Sequence, residues 1–246
     1  MHSTKRLDQR IVELGLVSSR ARAQEAISHG HIQVDGRPAT KASQKVSTAA
    51  AITLSDEANP YVSRAGLKLA AALEHFAPDL KDALALDVGA STGGFSQVLL
   101  KAGARKVFAL DVGHGQLHES LLNDPRVVNL EGLNARDLQP DTIGEPIDVI
   151  VSDVSFISLK LALPPALELV RARAWLFALI KPQFEAGRQA VGRGGIVRDA
   201  ATRERVCEDI CGWLTEEHGW TIAGLIPSPI TGSDGNVEFI VAARAP

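Results

Sequence analysis

The chain has 246 residues, 45% hydrophobic and 22% charged, a globular balance that excludes a disordered or fibrous protein and leaves room for one main domain plus an appendage. The formal charge of −3 hides an asymmetry: residues 1–54 carry eight Lys/Arg against four Asp/Glu, and the remainder 18 against 25. A small basic piece joined to an acidic body is expected to meet a polyanion.

The best candidate for a membrane span, residues 174–180, stops after seven apolar residues at Lys181, whereas a spanning helix needs roughly 18. The N-terminus shows no apolar signal segment, so a cytoplasmic protein that makes no use of a membrane is expected. Cys207 and Cys211 lie four apart in a helical stretch and read as reduced thiols; no metal is expected.

Leu7, Ile11, Val12 and Leu14 recur at helical spacing before Gly15, which predicts a first short helix. Ser18 and Ser19 are placed to cap a second helix over 20–28, with Ala23, Ala26 and Ile27 on one stripe. Strand-like residues 32–34 follow, then an Asp35-Gly36 turn and a second strand at 51–54. Residues 55–60 are polar and turn-rich and read as a linker, dividing the chain into 1–58 and 59–246.

The run R-L-D-x-x-I-V-E-L-G-L-V-x-S-R-x-x-A-x-x-x-I-x-x-G-x-I-x-V-D-G resembles the small α+β RNA-binding module named after ribosomal protein S-four. The resemblance implies that the second helix and the following turn face structured RNA. Arg20, Arg22, His29, Arg37, Lys41 and Lys45 are the expected phosphate contacts, neutralising charge without reading bases.

From residue 65, apolar strands at 84–88, 107–110, 127–130, 147–151 and 175–180 alternate with helical stretches. This rhythm predicts a doubly wound α/β sheet, whose ligands sit beyond the carboxyl ends of the strands. After the first strand comes Asp87-Val-Gly89-Ala-Ser91-Thr92-Gly93-Gly94-Phe95. Ser91 stands where a G-x-G-x-x-G pattern needs its second glycine and no phosphate-binding Lys follows, so dinucleotide and P-loop readings weaken. The arrangement resembles the first motif of class I, Rossmann-like, S-adenosylmethionine-dependent methyltransferases. Asp111 closes the second strand, where such folds place an acid for ribose hydroxyls. The same resemblance puts Asn134 and Ala135, after the third strand, beside the adenine.

The fourth strand ends Ser152-Asp153-Val154-Ser155-Phe156. It carries neither the Asp/Asn-Pro-Pro-aromatic segment typical of exocyclic amine methylation nor the cysteine needed at a cytosine carbon, leaving a hydroxyl acceptor as the common class. A hydroxyl is a weak nucleophile that needs a positioned base and alignment. A lysine serves as base where its proton affinity is lowered, which burial and a second ammonium promote. Lys68, Asp153, Lys181 and Glu238 occur in the order of the Lys-Asp-Lys-Glu tetrad of FtsJ-like RNA ribose 2'-O-methyltransferases, which they resemble.

Both halves together are similar to the TlyA, or haemolysin A, family of ribosomal RNA methyltransferases. The resemblance implies S-adenosylmethionine as cofactor, ribosomal RNA or ribosomal subunits as partner, and methyl transfer to a ribose 2'-hydroxyl at a cytidine. Lys181 is then the general base, with Lys68, Asp153 and Glu238 orienting it. Residues 188–198, rich in Gly and Arg, read as a mobile loop with Arg188 for RNA and Phe184 available to stack on a base. A non-catalytic ribosome-assembly factor would not need these charged residues. A membrane-active haemolysin is opposed by the scatter of Trp175, Trp213 and Trp220.

Overall fold

The computed structural model describes residues 4–14, 16–17, 20–28, 30–54, 61–192, 194–232 and 234–246. Ser18, Ser19 and His29 lie outside them. The chain divides into two compact units, Met1–Pro60 and Tyr61–Pro246.

In the first unit, β1 (Thr4–Arg6) leads into α1 (Leu7–Glu13), then α2 (Arg20–Ser28), β2 (Ile32–Val34), β3 (Arg37–Pro38), β4 (Lys45–Ser47) and β5 (Ile52–Leu54). Strands β3, β2 and β5 form an antiparallel sheet, and β1 pairs β4. Asp35 and Gly36 both take positive φ, 50° and 75°, as a two-residue hairpin turn requires. Leu7 and Ile11, one helical turn apart, pack with Ala23, Ile27, Ile32, Ala39, Val46 and Ile52 into a core of their own. Strands β1, β3 and β4 are too short and polar to show a period in the sequence.

The second unit begins with α3 (Ala65–Phe76) and continues β6 (Leu84–Val88), α4 (Gly94–Lys101), β7 (Lys106–Asp111), α5 (Glu119–Leu122), β8 (Val127–Glu131), α6 (Pro140–Ile143), β9 (Ile147–Ser152), α7 (Leu159–Ala162), α8 (Pro164–Leu167), β10 (Val170–Ile180), α9 (Pro182–Glu185), α10 (Ala200–Glu216), β11 (Thr221–Pro227) and β12 (Phe239–Arg244). The seven-stranded sheet has the order β11-β12-β10-β9-β6-β7-β8, parallel from β10 to β8, with β12 antiparallel to both neighbours. This is the class I methyltransferase arrangement of a mixed α/β sheet. All five residues of β6 are buried, which is why the central strand reads as an apolar run broken only by Asp87. The antiparallel pair β11 and β12 adds two strands to the five expected.

The sheet separates two cores. On one face, α10 contributes Val206, Ile210, Trp213 and Leu214; on the other, α3 and α4 contribute Leu69, Ala72, Val98 and Leu99. The start of α10 is fixed by Asp199, whose carboxylate accepts from the Thr202 N–H at 2.9 Å and its hydroxyl at 2.6 Å. Cys207 and Cys211, on α10, are free thiols, and burial pushes Cys207 up to about 12. No helix among the described residues is long and apolar enough to cross a membrane.

The chain runs outward from β6 to β7 and β8, then returns to place β9 on the other side of β6. Such a reversal opens a crevice beyond the carboxyl ends of the two strands, between Gly89 and Asp153.

Candidate active site

A cavity of about 470 Å³ occupies that crevice, lined by Gly89, Ser91, Asp111, Asn134, Ala135 and Asp153 among others. Its size falls in the ordinary range for a small-molecule site. Gly89 takes φ 85°, and a Cβ there would stand 3.1 Å from the Val154 backbone. Glycine thus keeps the floor of the crevice open.

The remaining residues expected to hold a cofactor lie elsewhere. Thr92, Gly93, Gly94 and Phe95 are not among the residues lining the cavity. A Cβ on Gly93 would collide with the Leu121 side chain, and one on Gly94 would collide with the Ser63 hydroxyl and stand 2.9 Å from the Gly66 nitrogen. Gly94 thus allows α4 to approach the start of α3, Gly93 leaves room for Leu121 of α5, and Phe95 packs in the core beside them. Asp87 is fully buried and does not line the cavity either. Its Oδ2 accepts from the Ser96 hydroxyl at 2.7 Å, while buried Oδ1 has no hydrogen-bond partner among the described residues. Burial pushes the carboxyl up to about 7 against the pull of that hydroxyl, with Asp153 and Asp111 adding to the rise.

Four charged side chains converge at the other end of the crevice. Lys68, on the buried face of α3, donates to Glu238 Oε2 at 2.6 Å and lies 3.8 Å from Asp153 Oδ2. Lys181 Nζ is 2.6 Å from Asp153 Oδ1, a close ion pair without hydrogen-bond direction. It donates to the Ser155 hydroxyl at 2.7 Å and the Asp153 carbonyl at 3.3 Å. Lys68, Lys181 and Glu238 are 4%, 7% and 3% exposed, so the two ammonium groups and two carboxylates compensate one another out of water, as buried charges must.

The topology explains why residues so distant in sequence meet. Ile180 at the end of β10 is opposite Phe239 at the start of β12. Because β12 runs antiparallel, the residue before it, Glu238, arrives at the same end of the sheet as Lys181 after β10 and Asp153 after β9. Glu238 precedes its strand and is buried. A Cβ on Gly232 would stand 2.5 Å from Glu238 Oε1, so the preceding turn also needs glycine.

Several residues that sequence reasoning passed over shape the site. Glu185 on α9 accepts from the Ser158 hydroxyl and the Leu159 N–H, tying the segment after Lys181 to the segment after Asp153; burial pushes its carboxyl up. Phe156, in the left-handed region at φ 66°, is 90% exposed and lies 5.1 Å from Phe184, ring to ring. An exposed aromatic with positive φ is the signal that could have marked it. Gly192 and residues 194–197 are tied by hydrogen bonds. Buried Asn236 accepts from the Val197 N–H at 3.0 Å and donates to the Gly195 carbonyl at 2.9 Å, while the Gly192 N–H bonds Ile196 O. Arg188 opens a 3-10 turn before this segment.

In the first unit, Arg37, Lys41 and Lys45 are exposed; Arg22 lies on α2 and is half-buried. Arg20 is not a free charge: it donates to Asp8 at 3.1 Å. Asp8 is fully buried and also accepts from Arg6 twice, from the Gln9 N–H and from Gln24. The Arg6 guanidinium, with Gln24 and Arg20, holds this carboxyl well below the usual carboxylate range.

Residues 61–245 match the family described as FtsJ-like methyltransferase, and residues 5–52 match the S4 domain. A protein of Mycobacterium tuberculosis named 16S/23S rRNA (cytidine-2'-O)-methyltransferase TlyA is 45% identical over 240 residues, 97% of this chain and 89% of that protein. Hemolysin A of Brachyspira hyodysenteriae is 41% identical over 236 residues, 96% of this chain and 98% of that protein. The solved structure of a candidate hemolysin from Streptococcus thermophilus is 36% identical with a TM-score of 0.79, covering 100% of this chain and 90% of that one.

Proposed function

The chain belongs to the TlyA group of FtsJ-like methyltransferases, with an S4 domain before the catalytic domain, and from that premise we propose that it methylates a ribose 2'-hydroxyl of ribosomal RNA, at a cytidine, in the cytoplasm. The observation that carries this reading is the convergence of Lys68, Asp153, Lys181 and Glu238 beside a cavity that also presents Asp111.

S-adenosylmethionine fits the cavity by chemistry. Glycine at 89 leaves room for close backbone approach, Asp111 offers acceptors to the ribose hydroxyls, and Asn134 and Ala135 flank the space for the base. When bound, the cofactor supplies an electrophilic methyl group on a sulfonium. The protein's part is to align the acceptor and take its proton. Lys181, after β10, accepts the 2'-hydroxyl proton at Nζ once that nitrogen has given up its own ammonium proton to solvent, and Ser155 and Asp153 fix the direction of that nitrogen. Lys68 is held by Glu238 and brings a second ammonium to the far oxygen of Asp153, so Asp153 is shared between two cations. Val154 and Ile157 give the cavity an apolar wall, and Phe156 with Phe184 gives the acceptor base a surface to stack on.

In the first unit, Arg37, Lys41 and Lys45 supply phosphate contacts, together with the guanidinium groups of Arg6 and Arg20 that Asp8 positions. The test is incubation of purified protein with radiolabelled S-adenosylmethionine and unmodified ribosomal subunits or naked ribosomal RNA, followed by nucleoside analysis. Label in 2'-O-methylcytidine supports the reading. Label in a base-methylated nucleoside removes the tetrad mechanism, and no label on either substrate returns the assembly-factor reading.

A further inference from the structure

Asp111 is the acid expected to meet the cofactor's ribose, yet the structure surrounds it with donors from its own chain. Its Oδ2 accepts from the Ser91 N–H at 2.8 Å and its Oδ1 from the Gly113 N–H at 2.8 Å. The Gln116 amide reaches the same Oδ1 at 3.4 Å and accepts from the Ser91 hydroxyl at 3.1 Å. A carboxylate has about four acceptor positions. Two are closed by rigid backbone, and the long Gln116 contact is the one that gives way at little cost. Gln116 itself lines the cavity.

The amide is there because the backbone below it is fixed. Asp111 and Glu131 stand opposite each other at the carboxyl ends of β7 and β8. Glu131 accepts from three consecutive N–H groups, those of Gly115, Gln116 and Leu117, and from the Asn129 amide. Such a run of N–H groups is an anion-binding nest, here filled by the chain's own carboxylate. These bonds hold Glu131 down at about 2, so the nest stays charged throughout the working pH range. A Cβ on Gly113 would overlap the Gln116 amide nitrogen, so glycine at 113 leaves the side chain room to fold back over Asp111. Ser91 completes the ring from a left-handed conformation, φ 48°, a strain of the kind found at ligand clamps.

We propose that Gln116, positioned by Glu131, is a specificity residue for the cofactor: its amide leaves Asp111 and donates to one ribose hydroxyl oxygen while Asp111 accepts that ribose's protons, so that the pair reads a vicinal diol. The inference rests on the cofactor reading above and deepens it. A site built to hydrogen-bond a hydroxyl rejects the analogue that lacks it more strongly than it rejects a change of bulk.

The experiment is titration of S-adenosylhomocysteine and its 2'-deoxy and 3'-deoxy analogues into the full-length protein, its Gln116→Ala and Glu131→Gln variants, and Asp111→Ala as a control. Wild type is expected to prefer the diol, and Gln116→Ala to bind S-adenosylhomocysteine about tenfold more weakly, with no further loss for one of the two deoxy analogues. Glu131→Gln reproduces part of that pattern with the melting temperature of the Gln116 variant unchanged. Equal losses for all three ligands, or none, overturn the role given to Gln116. A wild-type protein that binds no S-adenosylhomocysteine overturns the cofactor reading itself, and the inference with it.

Discussion

Asp8 and Asp87 are both fully buried carboxyls, one in each unit, and their proton affinities move in opposite directions. Asp8 takes five hydrogen bonds, three of them from guanidinium groups, and stays ionised far below the usual carboxylate range. Asp87 has one hydroxyl donor and an orphaned oxygen, and burial pushes it up to about 7. Burial alone therefore says little about charge; the number and sign of the partners decide. In the small unit the carboxylate fixes two arginines, whereas in the catalytic unit the rise to about 7 leaves the acid only partly ionised near neutrality.

The tetrad tests the comparison most severely, because its charges are compensated while the proposed mechanism asks one of them to exchange a proton. Lys181→Ala is expected to lower methyl transfer by about a thousandfold while S-adenosylhomocysteine affinity stays within about threefold, measured by single-turnover kinetics and calorimetry; loss of cofactor affinity instead would move Lys181 into the cofactor site. Asp87 gives the next effect. Its folded-state proton affinity is raised, so its contribution to stability is fully present below about pH 4 and is lost as pH rises through about 7, a change of up to about 4 kcal/mol. Denaturant unfolding at pH 5 and 8 should show about two thirds of this loss for wild type and its absence in Asp87→Asn. Asp8→Asn should act in the other sense, weakening the first unit at neutral pH by about 2 kcal/mol, read by hydrogen exchange of α1 and α2. If both Asn variants shift stability the same way at pH 8, the contrast between the two acids fails. The smallest effect belongs to exposed charge: Arg37→Glu, Lys41→Glu and Lys45→Glu together should weaken RNA binding uniformly and flatten its salt dependence by about three contacts. An unchanged slope would leave Arg6 and Arg20 as the footprint.

Much of this was legible in the residues. The strands at 84–88 and 147–151 announce themselves because a parallel strand covered on both faces is apolar along its length, here apart from one acid in each, Asp87 and Asp148. The tetrad is legible only by resemblance, since nothing local in the sequence says that Lys68 will touch a residue 170 positions away. What stayed hidden depends on where backbone N–H groups point. Glu131 looks like a solvated acid at a strand end and proves to anchor a turn. Asp8 looks like one more charge in an amphipathic helix and proves to hold Arg20, so an Arg20 substitution reports on folding as well as on RNA. Gly93 and Gly94 look like ligand glycines because close packing of two helices and close approach of a ligand both demand the same missing side chain.

The reversed direction of β12 has a consequence for synthesis. Glu238 leaves the ribosome long after Lys68, Asp153 and Lys181, and a strand of the opposite sense must slot between β10 and β11 before its carboxylate reaches Lys68. Until then Lys68 has only the more distant Asp153 to balance it. The four-residue cluster is thus unfinished until β12 docks between β10 and β11, and its charge balance is a property of the completed sheet.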